Sequence, residues 1–391
     1  MAPPARSGPL AGLLVADFSR ILAGPYATML LADLGAEVIK VESPRGDDTR
    51  TWQPPVHDGV STYYLGVNRN KRSVVLDLTA PADVTLAHEL ARRADIMIEN
   101  FRPGGLVRWG LDYESVAAAN PGVVYASISG FGSSEAGAEL PGYDLLVQAV
   151  SGLMSLTGDP AGPPTRAGIS VFDVIAGLHA VIGILAALHH RDATGRGQHV
   201  EVSLLASALS GLVNHTSAYV AAGVVPYRMG NGHPSLFPYE PLPCADGELI
   251  IAVGNDAQFR ALVVTLGVPE LADDLRFRRN QGRTVHREAL RPLLEERLRT
   301  ETASAWTSRL TVAGVPCGPI NTIDGGIAFA EEIGLDPVVA LGPADAPVRS
   351  VRNPITLSHT PADYRRPPPG LGEHDEEIRS WLSRPEPDRP C

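Results

Sequence analysis

Leu13-Leu14-Val15-Ala16-Asp17-Phe18 is a short apolar run, Gly24 to Leu34 has the composition of a helix, and Glu37-Val38-Ile39-Lys40-Val41 is strand-like again. The alternation continues. Ser73-Val74-Val75-Leu76-Asp77-Leu78 reads as a strand and the amphipathic stretch from about Ala80 to Arg93 as a helix. Ile96-Met97-Ile98-Glu99-Asn100 and Val123-Val124-Tyr125-Ala126-Ser127-Ile128 follow the same logic. Apolar strands separated by helices predict an α/β fold with a mainly parallel, doubly wound sheet. Ligands on such sheets bind beyond the carboxyl ends of the strands. Ser19 to Ala23 and Asn100-Phe101-Arg102 stand at two such ends.

Further on, the longest apolar stretch, Val174 to Leu188, contains His179 and falls short of the roughly 20 residues that cross a bilayer. It reads as a buried helix. Gly195-Arg196-Gly197-Gln198 is a turn before the strand His199-Val200-Glu201-Val202, and Gly230-Asn231-Gly232-His233-Pro234 opens a new region. There, the strand Leu249 to Gly254, a helix from Gln258 to Leu266 and charged helices near 283–299 and 303–313 predict a smaller α/β domain. The Pro-rich stretch 341–370 reads as an extended crossover before a last helix, Glu376 to Leu382. A chain of 391 residues exceeds one ordinary core, so two domains are expected.

Composition excludes several classes. A net charge of -11 argues against nucleic acid, whose phosphates reward clustered cations. Neither G-x-G-x-x-G nor G-x-x-x-x-G-K-[ST] occurs, which removes the main support for dinucleotide and P-loop readings. Cys244, Cys317 and Cys391 are widely spaced, as expected of reduced thiols in a cytoplasm. Met1-Ala2-Pro3-Pro4-Ala5-Arg6 leads into a strand without an apolar signal segment, and no ligand cluster predicts a metal. Arg45-Gly46-Asp47 reads as a coincidental tripeptide.

Asp173 lies alone in Gly168-Ile169-Ser170-Val171-Phe172-Asp173-Val174-Ile175-Ala176-Gly177. A lone carboxylate at the start of an apolar helix is costly to desolvate. Two readings fit its chemistry. It caps the helix, where amides and dipole favour its charge, or it is a nucleophile able to attack a thioester.

The stretch Arg166 to His179 resembles the nucleophile region of family III coenzyme A transferases, the group that shares its fold with alpha-methylacyl-CoA racemase. Further matches run in order along nearly the whole chain: Asp17 to Pro25, Leu34 to Glu42, Asn68 to Ser73, Glu99 to Gly104, Pro141 to Asp144, Val315 to Pro319 and Leu371 to His374. Within the family the chain most resembles the branch that moves CoA from succinyl-CoA to other dicarboxylates. The resemblance implies a large Rossmann-like domain from residues 1–200 and 330–391 and a small domain from 225–325. Linkers at 201–224 and 326–340 join them, and two subunits interlock as a homodimer.

It also implies roles. Acyl-CoA and a carboxylic acid are the substrates, coenzyme A is the group carried, and no metal, nucleic acid or membrane takes part. Asp173 is the nucleophile and Asp144 its catalytic neighbour. Leu22 and Ala23 meet the thioester end, Leu76, Asp77, Leu78 and Thr79 line the adenine pocket, and Asn100 and Phe101 form its wall. Arg102 and Arg108 serve the phosphates. Tyr143 stands where racemases of this fold carry a histidine base, which favours transfer over racemisation. Tyr63 and Trp52 match aromatic positions near the family's active site, and His233 lies in the loop that corresponds to a lid. A second carboxylate needs a cation near the thioester, and Arg166, shortly before Asp173, is the candidate, with Arg20 and Arg50 in reserve. Asp256 falls near a glutamate that assists racemases. For the transfer chemistry itself, the backbone amides near Gly230 to Gly232 are candidates to stabilise the oxyanions. Leu22 replaces a glutamine of formyl-CoA transferase and Ser43 an arginine, which disfavours formate and oxalate. Alternatives to a transferase are an acyl-CoA racemase or a catalytically silent CoA-binding protein.

Overall fold

The computed structural model describes residues 8–385; Met1 to Arg6, Glu386-Pro387 and Cys391 lie outside them. The larger of two compact units runs to residue 153 and adds 167–225 and the chain from 337 onward. Its centre is a six-stranded sheet. In chain order the six strands and the main helices around them are β1 (Leu14–Asp17), α1 (Ala23–Asp33), β2 (Glu37–Glu42), β3 (Lys71–Val75), α2 (Pro81–Arg93), β4 (Ile96–Glu99), α3 (Tyr113–Ala119), β5 (Val124–Ser129), α4 (Asp144–Val150), α5 (Val171–Thr194) and β6 (Gln198–Ser203).

The strand order is β3-β2-β1-β4-β5-β6, and every neighbouring pair is parallel. The order reverses between β1 and β4. Side chains alternate across a strand, so both faces of this sheet need cover. Val15, Val38, Ile96, Ile98, Val124 and Ala126 pack under α1 and α5. Ala16, Ile39, Val74, Met97 and Tyr125 pack under α2, α3 and the helix Asp375–Leu382. Proline at the start of α2 and Arg92 and Arg93 in its last turn suit the two ends of a helix.

α5 is longer than its apolar block predicted. At 24 residues it is long and apolar enough to cross a membrane by length and composition alone. Phe172, Ala176, Ala180, Ile184, Ala187 and Leu188 are instead buried against the sheet side of the unit. Each large apolar side chain so buried contributes about 1.5–3 kcal/mol. Leu178, Ile182 and Leu185, spaced four and three apart, form an exposed stripe on the same helix. Gly177 lets α1 and α5 approach: a Cβ there would lie 2.6 Å from the Ala23 carbonyl oxygen. The Pro-rich crossover also holds a hairpin, Val338–Leu341 paired antiparallel with Val348–Val351.

The smaller unit comprises 154–166 and 226–336. Arg166 belongs to it, and residues 201–225 belong to the larger unit. A three-stranded antiparallel sheet, Cys317–Gly318, Glu248–Ala252 and Tyr239–Pro243, backs helices Asp256–Thr265, Arg287–Leu298 and Ala303–Val312. Leu249, Ile251, Phe259, Leu290, Leu294 and Trp306 fill its core. The helix expected over 283–299 is two helices, Asn280–Val285 and Arg287–Leu298, meeting at His286.

Candidate active site

Three loops at the carboxyl ends of strands frame a cleft of about 700 Å3 in the larger unit: Arg20 to Ala23 after β1, Asn100 to Gly105 after β4, and Ser129 to Phe131 after β5. The cleft therefore opens at the reversal of strand order, where a doubly wound sheet leaves room for a ligand. Leu140 to Tyr143, Arg108 and Asp173 complete its lining. Gly130 and Gly142 allow the close approach of two of these segments, since a Cβ on Gly130 would lie 2.4 Å from the Gly142 Cα.

Asp173 sits in the first turn of α5, a helix with no side-chain cap from Ser170. Asp144 supplies what is missing. Its Oδ1 accepts the Phe172 amide at 2.8 Å and the Asp173 amide at 3.4 Å. The Asp144 carboxylate is buried and also accepts Gln148 Nε2; Gln148 Oε1 in turn accepts the Ala167 amide at 2.8 Å. Asp144 does not line the cleft; it holds the end of the helix that presents Asp173. Burial, with the Asp144 charge second, pushes the Asp173 carboxyl up to about 7. A carboxylate of such basicity is a better nucleophile than an ordinary one and still loses its proton near neutral pH. The amide bonds at the start of α5 thus go to Asp144, and Asp173 lines the cleft.

Tyr63 shares a hydrogen bond with Ser170, and burial pushes its phenol up, with Asp173 and Asp144 adding to the shift. Trp52 meets the Tyr63 ring edge-on at 5.1 Å. Both aromatics are thus near the start of α5. Tyr143 lines the cleft and is 62% exposed; no histidine is among the described residues lining it.

The loop after β1 rests on groups that sequence reasoning passed over. Ile21 has φ of 71°, a conformation a β-branched residue rarely adopts. Its amide lies 3.2 Å from an Asp47 carboxylate oxygen. Asp47 also accepts the buried Lys40 ammonium at 2.8 Å, and Lys40 reaches the Ser19 carbonyl at 3.0 Å. Burial opposes the Asp47 charge, but Lys40 and Thr49 hold its carboxyl well below the usual range. Strain at Ile21 is thereby supported by a buried ion pair, as strained loops at functional sites require. Asp47, in the tripeptide read as coincidence, is structural.

A second cavity of about 480 Å3 is lined by Ser43, Leu76 to Thr79 and Trp109, and it shares Arg20, Phe101 and Arg108 with the cleft. Arg108 stacks its guanidinium 3.8 Å from the centre of the Trp109 ring. Asn100 exchanges two bonds with the Arg20 backbone, at 2.8 and 2.7 Å, which ties the loops after β1 and β4 together. The expected adenine, wall and phosphate residues thus gather around two adjoining spaces. Arg50 is committed elsewhere: it grips both Glu42 oxygens, at 2.8 and 2.7 Å.

Arg166, His233, Gly230 to Gly232 and Asp256 belong to the smaller unit. There His233 Nδ1 accepts the Ser235 amide at 3.0 Å. Asp256 is paired with Arg279 and Arg283, at 3.2 and 3.0 Å.

Residues 10–375 match the model of CoA-transferase family III. The chain belongs to that family. It is 44% identical to a succinate–glutarate CoA-transferase of Agrobacterium fabrum, over 97% of each chain. It is 38% identical to a succinyl-CoA:glutarate CoA-transferase of Mus musculus, covering 96% of this chain and 87% of that one. The crystal structure of a CAIB/BAIF family protein from Brucella suis superposes with a TM-score of 0.85 at 42% identity, covering 97% of this chain and all of that one. The protein is accordingly a CoA transferase, and CoA thioesters are its substrates.

Proposed function

We propose that this CoA transferase moves CoA from succinyl-CoA, or a similar dicarboxylyl-CoA, to a carboxylic acid acceptor. The single observation that carries the chemistry is Asp173, a half-buried carboxylate of raised basicity lining a cleft that adjoins a cation-bearing second cavity. Its relatives named for succinate, glutarate and mesaconate support the choice of dicarboxylates.

In the reaction, an Asp173 oxygen attacks the thioester carbonyl, the C–S bond breaks, and a mixed anhydride and CoA thiolate form. The thiolate attacks the aspartyl carbonyl and expels the donor acid as its carboxylate, leaving an aspartyl-CoA thioester. The acceptor carboxylate attacks that thioester and frees the thiolate again. The thiolate then takes the acceptor's acyl carbon and releases Asp173. Each intermediate retains acyl activation, so the cycle exchanges one thioester for another with no nucleotide hydrolysed. Asp144 positions Asp173, Leu22 and Ala23 flank the thioester end, and Arg102 and Arg108 serve the phosphates.

Selectivity for a second carboxylate is assigned to a cation, with Arg20, which lines the cleft, as the candidate. Wild type should prefer succinyl-CoA over butyryl-CoA by about a hundredfold in kcat/KM, as a guanidinium–carboxylate pair allows. In Arg20→Ala that preference should collapse to a few-fold. Indifference between the donors in wild type would sink the dicarboxylate reading.

The same reading includes an interlocked homodimer. The stripe Leu178, Ile182 and Leu185, together with exposed Ile169, Leu209 and Val213, leaves apolar surface of the kind that subunit contacts cover. Sedimentation at nanomolar concentration should show a dimer alone, and a stable, active monomer would refute it. Cys244 and Cys317 are free thiols, which supports a cytoplasmic setting.

A further inference from the structure

On the sheet face under α3, three side chains from adjacent strands meet: Glu99 at the end of β4, Ser127 on β5 and His199 on β6. Register places Glu99 beside Ser127. The Ser127 hydroxyl bonds the Glu99 carboxyl and lies 2.9 Å from His199 Nε2. Tyr113 stacks on the imidazole with ring centres 4.7 Å apart, and Tyr125 meets it edge-on. The other end of the chain is Glu99 Oε2, which accepts the Phe101 amide at 2.7 Å. A cavity of about 290 Å3 lies over this chain. Phe101 to Gly105 line that cavity and the larger cleft alike, so this segment is a wall between the two.

We propose that Glu99 is a positioning residue for CoA binding: through the Phe101 amide on one side and the Ser127–His199 pair on the other, it sets the wall formed by Phe101 to Gly105. The inference rests on the cleft being the CoA site. Glu99 is 8% exposed, and a buried carboxylate bonded to one amide and one hydroxyl has no role in the transfer steps themselves. The charged groups lining its cavity are Arg102 from the wall, Asp112 and Glu114 at the start of α3, and Glu201 on β6. Burial pushes the Glu99 carboxyl up to about 7, against the Ser127 and Phe101 bonds that favour its ionised form. Burial lowers the His199 value, with Glu201 and Glu114 opposing. With Glu99 ionised, Ser127 donates to it and accepts from imidazole; with Glu99 protonated, the direction of both bonds reverses. The Phe101 amide bond, the one link from Glu99 to the wall, is charge-assisted only while Glu99 is ionised, so that bond is strongest above about pH 7.

The test is CoA affinity by titration calorimetry, pH 6 to 8.5, in Asp173→Asn protein with Glu99 intact or replaced in Glu99→Gln. Removing the Asp173 carboxylate leaves one such group titrating near the cleft, and taking the ratio of the two dissociation constants cancels the ionisation of CoA itself. Glu99→Gln should bind about tenfold more weakly at pH 8.5, the worth of one hydrogen bond to a charged group, and within about twofold at pH 6. With Asp173 restored, its kcat at saturating substrate should stay within about threefold of wild type while KM rises. Ser127→Ala, in the Asp173→Asn background, should move the midpoint of the pH dependence upward, because the lost bond favours the ionised carboxylate. A ratio that is flat with pH, or a kcat loss with unchanged affinity, overturns the role of Glu99. Failure of the Glu99-intact protein to bind CoA at any pH overturns the cleft assignment instead.

Discussion

Asp173→Ala is expected to lower CoA transfer by about four orders of magnitude or more, since no covalent intermediate can form without the carboxylate. CoA itself should still bind within a few-fold of wild type, because the residues assigned to the nucleotide end, Leu76 to Thr79 and Arg108, are untouched. Turnover near the wild-type value would refute the nucleophile. Asp173→Asn carries a second expectation, about stability. The Asp173 carboxyl titrates near 7 in the folded protein and near 3.8 when unfolded. Below about pH 4 the group is protonated in both states and costs nothing. As pH rises from about 4 to about 7 the unfolded chain gives up its proton first, so folded wild type loses stability relative to the amide variant. The difference, of order a few kcal/mol, should raise the unfolding midpoint of Asp173→Asn at pH 8 but not at pH 4. Equal midpoints at both would show that the site does not desolvate its carboxylate.

Asp144→Ala is the second large effect. It removes the acceptor for the Phe172 and Asp173 amides and leaves Gln148 without its carboxylate partner. Loss of a cap costs about 0.5–2 kcal/mol of stability. A small displacement of the nucleophile should cost about a hundredfold in kcat. Asp144→Asn keeps an oxygen for the amides but not the charge, so it should recover kcat to within about tenfold. The acid limb of kcat/KM, expected near pH 7 in wild type because attack needs ionised Asp173, should move to lower pH once the Asp144 charge is gone. Full activity in Asp144→Ala with an unmoved limb would leave Asp144 with no part in positioning.

Strand–helix alternation was legible because both sides of a doubly wound sheet are buried, which makes strands such as Ile96–Glu99 read as apolar runs. The loops at their carboxyl ends followed from the same pattern. Asp173 stood out because it is a charge among apolar neighbours. What stayed hidden depends on contacts across the sheet. Glu99, Ser127 and His199 are 28 and 72 residues apart, and their meeting requires the register of three strands. Lys40 looked like one polar residue in a strand until Asp47 and the Ser19 carbonyl closed around it. Asp144 resembled a catalytic carboxylate, and its bond to the start of α5 depends on a tertiary approach that spacing does not reveal. The ends of α5 were missed for a simpler reason. The stretch beyond Leu188, His189-His190-Arg191-Asp192, is polar, yet it continues the helix to Thr194, where Gly195 takes a left-handed φ of 74° and ends it.

Trapping the covalent intermediate tests the central claim most directly. Wild-type protein is incubated with succinyl-CoA, treated with borohydride or hydroxylamine, digested and read by peptide mass spectrometry. An aspartyl-CoA thioester is reduced to an alcohol by borohydride or converted to a hydroxamate by hydroxylamine, so the peptide containing Asp173 should carry that mass change at Asp173 and at no other carboxylate. Unmodified Asp173 in an enzyme that turns over succinyl-CoA, or the label on another residue, would contradict the account.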